Sequence, residues 1–149
     1  MLALLFPGQG SQYTGMLRDL ACQFPEMLET LQDGNRIFDE ASGPGASRRL
    51  SDLIYPPARF SEEQRQADET ALRSTDVAQP AIGAVSRGAM RLLERFGVTP
   101  QALAGHSYGE LTALCSAGTF DDEALHRLSG LRGRLMAGDG GDRGSMLAV

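Results

Sequence analysis

Residues 101–118 read QALAGHSYGELTALCSAG, and the fold turns on them. A short apolar stretch over about 101–105 enters Gly105-His106-Ser107-Tyr108-Gly109. A small apolar helix over 108–117 leaves it, closed by Gly118. Strand, sharp turn and helix make the context in which the serine of G-x-S-x-G acts as a nucleophile. The serine sits in a strained turn, and side chains at the two glycine positions would collide where strand and helix cross. The turn also puts Ser107 at a helix N-terminus, where free N–H groups and the positive end of the dipole suit a developing oxyanion. The N–H of Tyr108 is the natural donor. The bare pattern also arises by chance in a chain with 18 glycines, so it needs support from elsewhere.

Outward from this turn, strands and helices alternate. LALLF at 2–6 is a continuous apolar run ending at Pro7-Gly8, the pattern of a fully buried strand. Helices are expected over 16–22 and 25–41, the second with Met27, Leu28, Leu31, Ile37 and Phe38 on one face. Residues 43–70 read as a surface excursion with a short helix at 50–54, and their charged run SEEQRQADE as a solvated connection. The clearest helix covers 76–96, capped by Thr75 or Asp76, with Ala81, Val85, Ala89, Leu92, Leu93 and Phe96 on its buried side. A further helix over 121–137 starts behind Asp121, with Leu125, Leu128, Leu131 and Leu135 at amphipathic spacing. GDGGDRGS then reads as a loop and SMLAV as the start of another strand. The alternation implies a parallel α/β sheet. A strand needs a neighbour for its backbone groups, so the chain reads as the front part of a larger unit.

Composition narrows the function. The chain has 149 residues, 42% apolar and 22% charged, with a net charge of -5 and no basic cluster of the kind nucleic acid requires. No apolar run approaches the roughly 20 residues that span a bilayer, and the N-terminus lacks the positive segment of a signal peptide. All 14 basic residues are arginine, which excludes a Schiff-base or phosphate-loop lysine within this chain. Two cysteines, Cys22 and Cys115, are expected as reduced core residues of a cytoplasmic protein. With two histidines beside them, they offer little for a metal site, and none is expected.

Three further places carry candidate chemistry. PGQGSQ at 7–12 fails as a G-x-G-x-x-G phosphate cradle, because Tyr13 stands at the third glycine position and no lysine follows. As a loop at the carboxyl end of a parallel strand it lies where ligands bind in such sheets, and the Gln9 N–H could complete an oxyanion hole with that of Tyr108. A plain glycine turn is the alternative. Arg132 interrupts the apolar side of its helix between Leu128 and Leu135. A charge there is costly to bury unless paired: it is a structural ion pair, a side chain that snorkels to solvent, or a fork that grips a substrate carboxylate. Of the two histidines, His106 follows a strand residue by one and should point away from the serine hydroxyl. His126 is expected at a solvated helix position. Neither suits the role of general base.

LLFPGQGSQ, AQPA at 78–81, GHSYGELTAL at 105–114 and LRGRLM at 131–136 occur in one order and spacing across nearly the whole chain. Together they resemble the malonyl-CoA:acyl-carrier-protein acyltransferases, both the stand-alone enzymes of fatty-acid synthesis and the acyltransferase domains of polyketide synthases. Tyr108, with RSTDVAQPA upstream, leans toward iterative polyketide or polyunsaturated-fatty-acid systems. The resemblance implies an α/β hydrolase-like large subdomain, present in part over 1–140, with the start of an inserted ferredoxin-like small subdomain at 141–149. It makes Ser107 the acyl-accepting nucleophile, supported by His106. Gln9 and Tyr108 become oxyanion-hole donors, and Arg132 the ligand of a malonyl carboxylate. The family's general base is a second histidine far downstream, in the remaining C-terminal part of the domain.

The expected reaction is a two-step displacement. Ser107 takes a malonyl-type group from the CoA thioester and passes it to the phosphopantetheine thiol of an acyl carrier protein, with no bound cofactor. A serine esterase or thioesterase is the competing reading. Another is an inactive piece that only docks a carrier protein or synthase neighbour. Residues 1–149 alone are expected to be inactive.

Overall fold

The computed structural model describes residues 1–43 and 48–138. Its elements run β1 (Ala3–Phe6), α1 (Arg18–Gln23), α2 (Pro25–Ser42), α3 (Leu50–Ile54), α4 (Glu62–Arg73), α5 (Thr75–Arg95), β2 (Ala102–Gly105), α6 (Gly109–Ser116) and α7 (Asp122–Ala137). Among the described residues β1 and β2 form a two-stranded parallel sheet, with Ala3 opposite Ala102 and Phe6 opposite Gly105. The register brings the carboxyl ends of both strands level. The 7–12 loop and the 106–108 turn therefore leave the sheet side by side, and the His106 N–H donates to the Phe6 carbonyl at 3.1 Å.

α5 is the central post, with α2 and α7 packed along it. Its face toward them is lined by small residues: Ala78, Ala81, Gly83, Ala84 and Gly88 are all buried. Gly88 is required where α2 crosses, because a Cβ there would lie 2.7 Å from Thr30 Oγ1 and 2.8 Å from Met27 Sδ. Met27, Leu50, Ile54 and Leu72 are fully enclosed in the main core between α2, α3, α4 and α5. Each such side chain contributes about 1.5–3 kcal/mol of burial. A smaller cluster of Phe6, Met90 and Ala113 fixes the sheet to α5 and α6.

The element order agrees with the sequence reading for β1, α1, α2, α3, α5, β2, α6 and α7, within the usual margin at element ends. The polar excursion does not: Glu62–Arg73 is a helix of 12 residues, with the Ser61 hydroxyl capping the Gln64 N–H. A sparse apolar pattern hides it, since only Asp68 and Leu72 are buried. Asp68 survives burial because Arg59 grips it through two hydrogen bonds of 2.6 and 3.1 Å.

Several side chains differ from expectation. Cys22 is exposed, while Cys115 is buried as anticipated. Leu5 is 74% exposed, so β1 is not a fully buried strand; among the described residues no layer covers that face. Phe96 packs edge-on to Phe24, 5.9 Å between ring centroids, yet stays largely exposed at the end of α5. Leu28 is likewise outside the core. α5 begins at Thr75 with Ser74 as its N-cap residue, so neither Thr75 nor Asp76 fills that role. Residues 139–149, and with them the expected SMLAV strand and the subdomain boundary at 140/141, lie outside the described residues.

Candidate active site

Ser107 has φ of 53°, a left-handed conformation rare for a residue with a side chain. It is held there by a tight weave: the Gly109 N–H donates to the His106 carbonyl at 2.9 Å, and the Glu110 N–H to the Ser107 carbonyl at 3.2 Å. Both flanking glycines are needed. A Cβ on Gly109 would lie 2.8 Å from the Pro7 carbonyl oxygen and overlap that of Phe6. One on Gly105 would overlap the Gly109 and Glu110 backbone. Strand, loop and helix thus cross at van der Waals distance and leave the Ser107 side chain exposed at the surface.

The PGQG loop lies against this turn. A Cβ on Gly8 would be 2.6 Å from the His106 carbonyl oxygen and 3.2 Å from Ser107 Cβ. Residue 9 therefore sits within one residue of the serine contact. Neither the Gln9 N–H nor the Tyr108 N–H donates to an acceptor among the described residues.

Tyr108 is locked from behind. Its side chain is fully buried and its hydroxyl lies 2.5 Å from Ser129 Oγ on α7. Ser129 donates its own proton to the Leu125 carbonyl at 2.6 Å, so Tyr108 is the donor in that pair. Burial pushes the phenol up to about 12, and it stays neutral at physiological pH. Gly83 on α5 makes room for the ring: a Cβ there would overlap the hydroxyl and lie 3.2 Å from Cζ.

Arg132 lies on α7, partly buried, with Nη1 enclosed and without a hydrogen-bond partner among the described residues. It is near enough to act electrostatically on the Tyr108 phenol. An enclosed guanidinium nitrogen is costly to leave without an acceptor. The structural ion-pair reading does not hold among the described residues. There the arginines in carboxylate contact are 36, 48, 59, 65, 87, 91, 95 and 127.

The histidines divide. His106 is exposed beside Gly8. His126 is not solvated as expected but 3% exposed, wedged between α2 and α5 with its Cε1 3.4 Å from where a Gly34 Cβ would be. Both its ring nitrogens lack partners, and burial lowers its pKa below the ordinary value. Leu125 beside it on the helix is the one sequence signal for its burial. Cys115 is no rival nucleophile: burial, then the neighbouring Asp122, pushes its thiol up to about 12. Among the described residues no group of three or more His, Cys, Asp or Glu could hold a metal. No described helix is long and apolar enough to cross a membrane.

The hydrolase-like turn, the loop beside it and the arginine helix define an acyltransferase scaffold. The model of the Acyl transferase domain matches residues 3–149, and the chain belongs to that family. It is 37% identical over 136 residues to the malonyl CoA-acyl carrier protein transacylase of Haemophilus influenzae, covering 90% of this chain and 38% of that protein. It is 39% identical over 151 aligned positions to the spectinabilin polyketide synthase system protein NorB of Streptomyces orinoci, covering 99% of this chain and 6% of that one. Among solved structures, an acyl carrier protein S-malonyltransferase from Vibrio cholerae superposes with a TM-score of 0.71 at 35% identity, over 90% of this chain and 38% of that one. A malonyl-transacylase in complex with a type II polyketide acyl-carrier protein does so with the same TM-score at 36% identity, over 90% of this chain and 38% of that one. The chain thus spans well under half of each relative, and its fold is part of the hydrolase-like large subdomain they share.

Proposed function

We propose that this chain carries the nucleophile and the acyl-binding face of a malonyl-CoA:acyl-carrier-protein acyltransferase of polyketide or fatty-acid synthesis. The observation that carries the reading is Ser107 in a left-handed turn between β2 and α6, with the PGQG loop in contact with it. The hydroxyl oxygen of Ser107 attacks the thioester carbonyl carbon of malonyl-CoA while a base takes its proton. The carbonyl oxygen, now negative, is met by the Gln9 and Tyr108 N–H groups. The tetrahedral intermediate collapses, the C–S bond breaks, and CoA leaves as the thiol with the proton returned to it. The phosphopantetheine thiol of a carrier protein repeats the attack in reverse order and frees Ser107.

Arg132 takes the free carboxylate of the acyl group through two parallel hydrogen bonds, which favours diacid thioesters over neutral ones. His106 supports the turn from the Gly8 side. The base is neither His106, which lies beside the serine in the turn after β2, nor His126, which is buried in another layer. It comes from outside these 149 residues, so residues 1–149 by themselves are proposed to be inactive. An esterase could use the same turn with water as acceptor, but a neutral acyl chain would leave the enclosed Arg132 nitrogen unpaired.

The test is intact-mass analysis of the full-length protein mixed with malonyl-CoA. A malonyl adduct is expected, absent in Ser107→Ala and discharged by a phosphopantetheinylated carrier protein. No Ser107-dependent adduct, or discharge by water as fast as by carrier protein, would overturn the reading.

A further inference from the structure

We propose that Glu69 is a positioning residue: through Thr14 it anchors the far end of the loop after β1 and so fixes where the Gln9 N–H stands beside Ser107. The inference rests on the roles given above to Ser107 and Gln9. Residues 7–17 run without strand or helix between β1 and α1. A segment of this kind keeps one shape only where contacts pin it. Its near end is pinned twice. Gly8 lies against His106 and Ser107. The Gln9 carboxamide donates to Thr75 Oγ1 and accepts from the buried Gln79, both at 3.2 Å. The far end is pinned by Glu69. Its Oε1 accepts from the Thr14 hydroxyl at 2.6 Å and from the Thr14 N–H at 3.2 Å. The next N–H, that of Gly15, donates to the Ile54 carbonyl at 2.7 Å.

Between its ends the loop is a row of overlapping turns. Ser11 donates its N–H and its hydroxyl to the Gly8 carbonyl, at 3.3 and 2.8 Å. The Gly10 N–H donates to Oε1 of the buried Gln12 at 2.7 Å, and the Met16 N–H to the Tyr13 carbonyl at 3.2 Å. A shift at Thr14 therefore passes through Gln12 to Gly10 and on to Gln9. The backbone at the anchor is one that a free loop avoids. Leu17 has φ of 51°, and a left-handed leucine persists only where its surroundings over-determine it. The Thr14 and Gly15 hydrogen bonds supply that constraint.

α4 is built to deliver the carboxylate. Its buried residues are Asp68 and Leu72, one turn apart. Leu72 enters the main core and Asp68 is gripped by Arg59, so both fix the stretch that carries Glu69. Hydrogen bonds to a carboxylate also hold more firmly than neutral ones. The helix thus acts as an arm whose end holds the loop. An oxyanion donor that drifts costs rate in both half-reactions, since each passes through a tetrahedral oxyanion, and costs substrate binding little.

The experiment uses the full-length protein with malonyl-CoA and carrier protein, followed by quenched-flow mass analysis. Glu69→Met keeps the length and loses the acceptor. It should slow both Ser107 acylation at saturating malonyl-CoA and discharge to carrier protein about tenfold, with malonyl KM within about twofold. Thr14→Val, which loses only the hydroxyl, should slow both steps in the same direction by a smaller factor. Glu69→Gln and Thr14→Ser keep an acceptor and a donor and should restore most of the rate. Thr14→Val should add nothing to Glu69→Met. Thr70→Ala, on the same helix and bonded only to the Gln66 carbonyl, is the control and should leave both rates alone. Unchanged rates in Glu69→Met, loss in only one half-reaction, a loss carried by KM, an equal loss in Thr70→Ala, or a further drop in the double variant each overturns the proposal. A malonyl adduct that survives Ser107→Ala overturns the underlying site reading; a Ser107-dependent adduct with unmoved Glu69 and Thr14 variants overturns Glu69 alone.

Discussion

At the residue scale the site depends on backbone that only certain residues can follow. Gly109 is the sharpest case, since a single methyl group there meets the carbonyl oxygens of Phe6 and Pro7 at once. Gly109→Ala is expected to push the β1 loop away from the serine and to reduce malonyl transfer at least about a hundredfold, the scale of a misplaced reacting group. The check is the rate of acyl-enzyme formation in a quenched-flow mass assay, and a loss under threefold would count against it. Tyr108→Phe asks a gentler question. It removes the proton given to Ser129 but leaves the ring against Gly83, so the buried Ser129 oxygen loses one donor. Destabilisation of about 1 kcal/mol is expected, read from the urea midpoint, with little change in acyl transfer because the backbone N–H stays in place. A large kinetic loss at unchanged stability would show that the hydroxyl itself takes part.

At the element scale α7 shows what periodicity can and cannot reveal. Its leucines at 125, 128, 131 and 135 mark an amphipathic helix, and the helix is there. Yet Leu128, Leu131 and Leu135 are exposed to 37%, 47% and 73%, and the buried side is Leu125, His126, Ser129 and Gly133. Close approach to α5 decides this: Gly133 meets the Thr75–Asp76 backbone and Ser129 meets the Tyr108 hydroxyl, contacts that large side chains would prevent. Gly133→Val should therefore separate the two helices and lower both stability and malonyl selectivity. Leu131→Gln on the exposed side should change the urea midpoint little. If Leu131→Gln proves the more damaging change, the seam has been assigned to the wrong face. The strand, turn and helix around Ser107 and the loop after β1 were legible because glycine spacing is a local signal; Arg132 was picked out for interrupting an apolar side whose leucines are in fact exposed. Burial of His126 and Gln79, exposure of Cys22 and the helical state of Glu62–Arg73 were not legible. Each depends on which neighbour arrives from far along the chain, and polar residues paired or enclosed by such neighbours look like surface in one dimension.

At the scale of the whole molecule, the buried charges set how the fold responds to acid. His126 sits between α2, α5 and α7 and feels Asp33 and Asp122, which favour its protonation, and Arg91 and Arg36, which oppose it; burial outweighs them all and lowers its pKa from 6.5. The unfolded chain binds that proton more readily than the folded one. Above about pH 6.5 the ring is neutral in both states and its contribution is complete. As pH falls below that value the unfolded state is protonated first, so stability declines until the folded pKa is passed. The carboxylates follow later. Asp68 is held below its ordinary 3.8 by Arg59. Burial raises Asp122, but Arg87, Cys115 and Arg91 together outweigh it, leaving it below the same value. Their contribution is lost only as pH falls through the range under about 4. Two acid phases are expected, the first owned by one residue. His126→Leu, close in volume and free of the two unpaired ring nitrogens, should remove the phase that begins below about pH 6.5 and keep the later one. Urea midpoints from about pH 7.5 to 5 provide the measurement: they should fall in the parent and stay level in the variant. Equal slopes in both proteins would mean that the imidazole takes its proton without cost, and that α2, α5 and α7 open around it more readily than their packing implies.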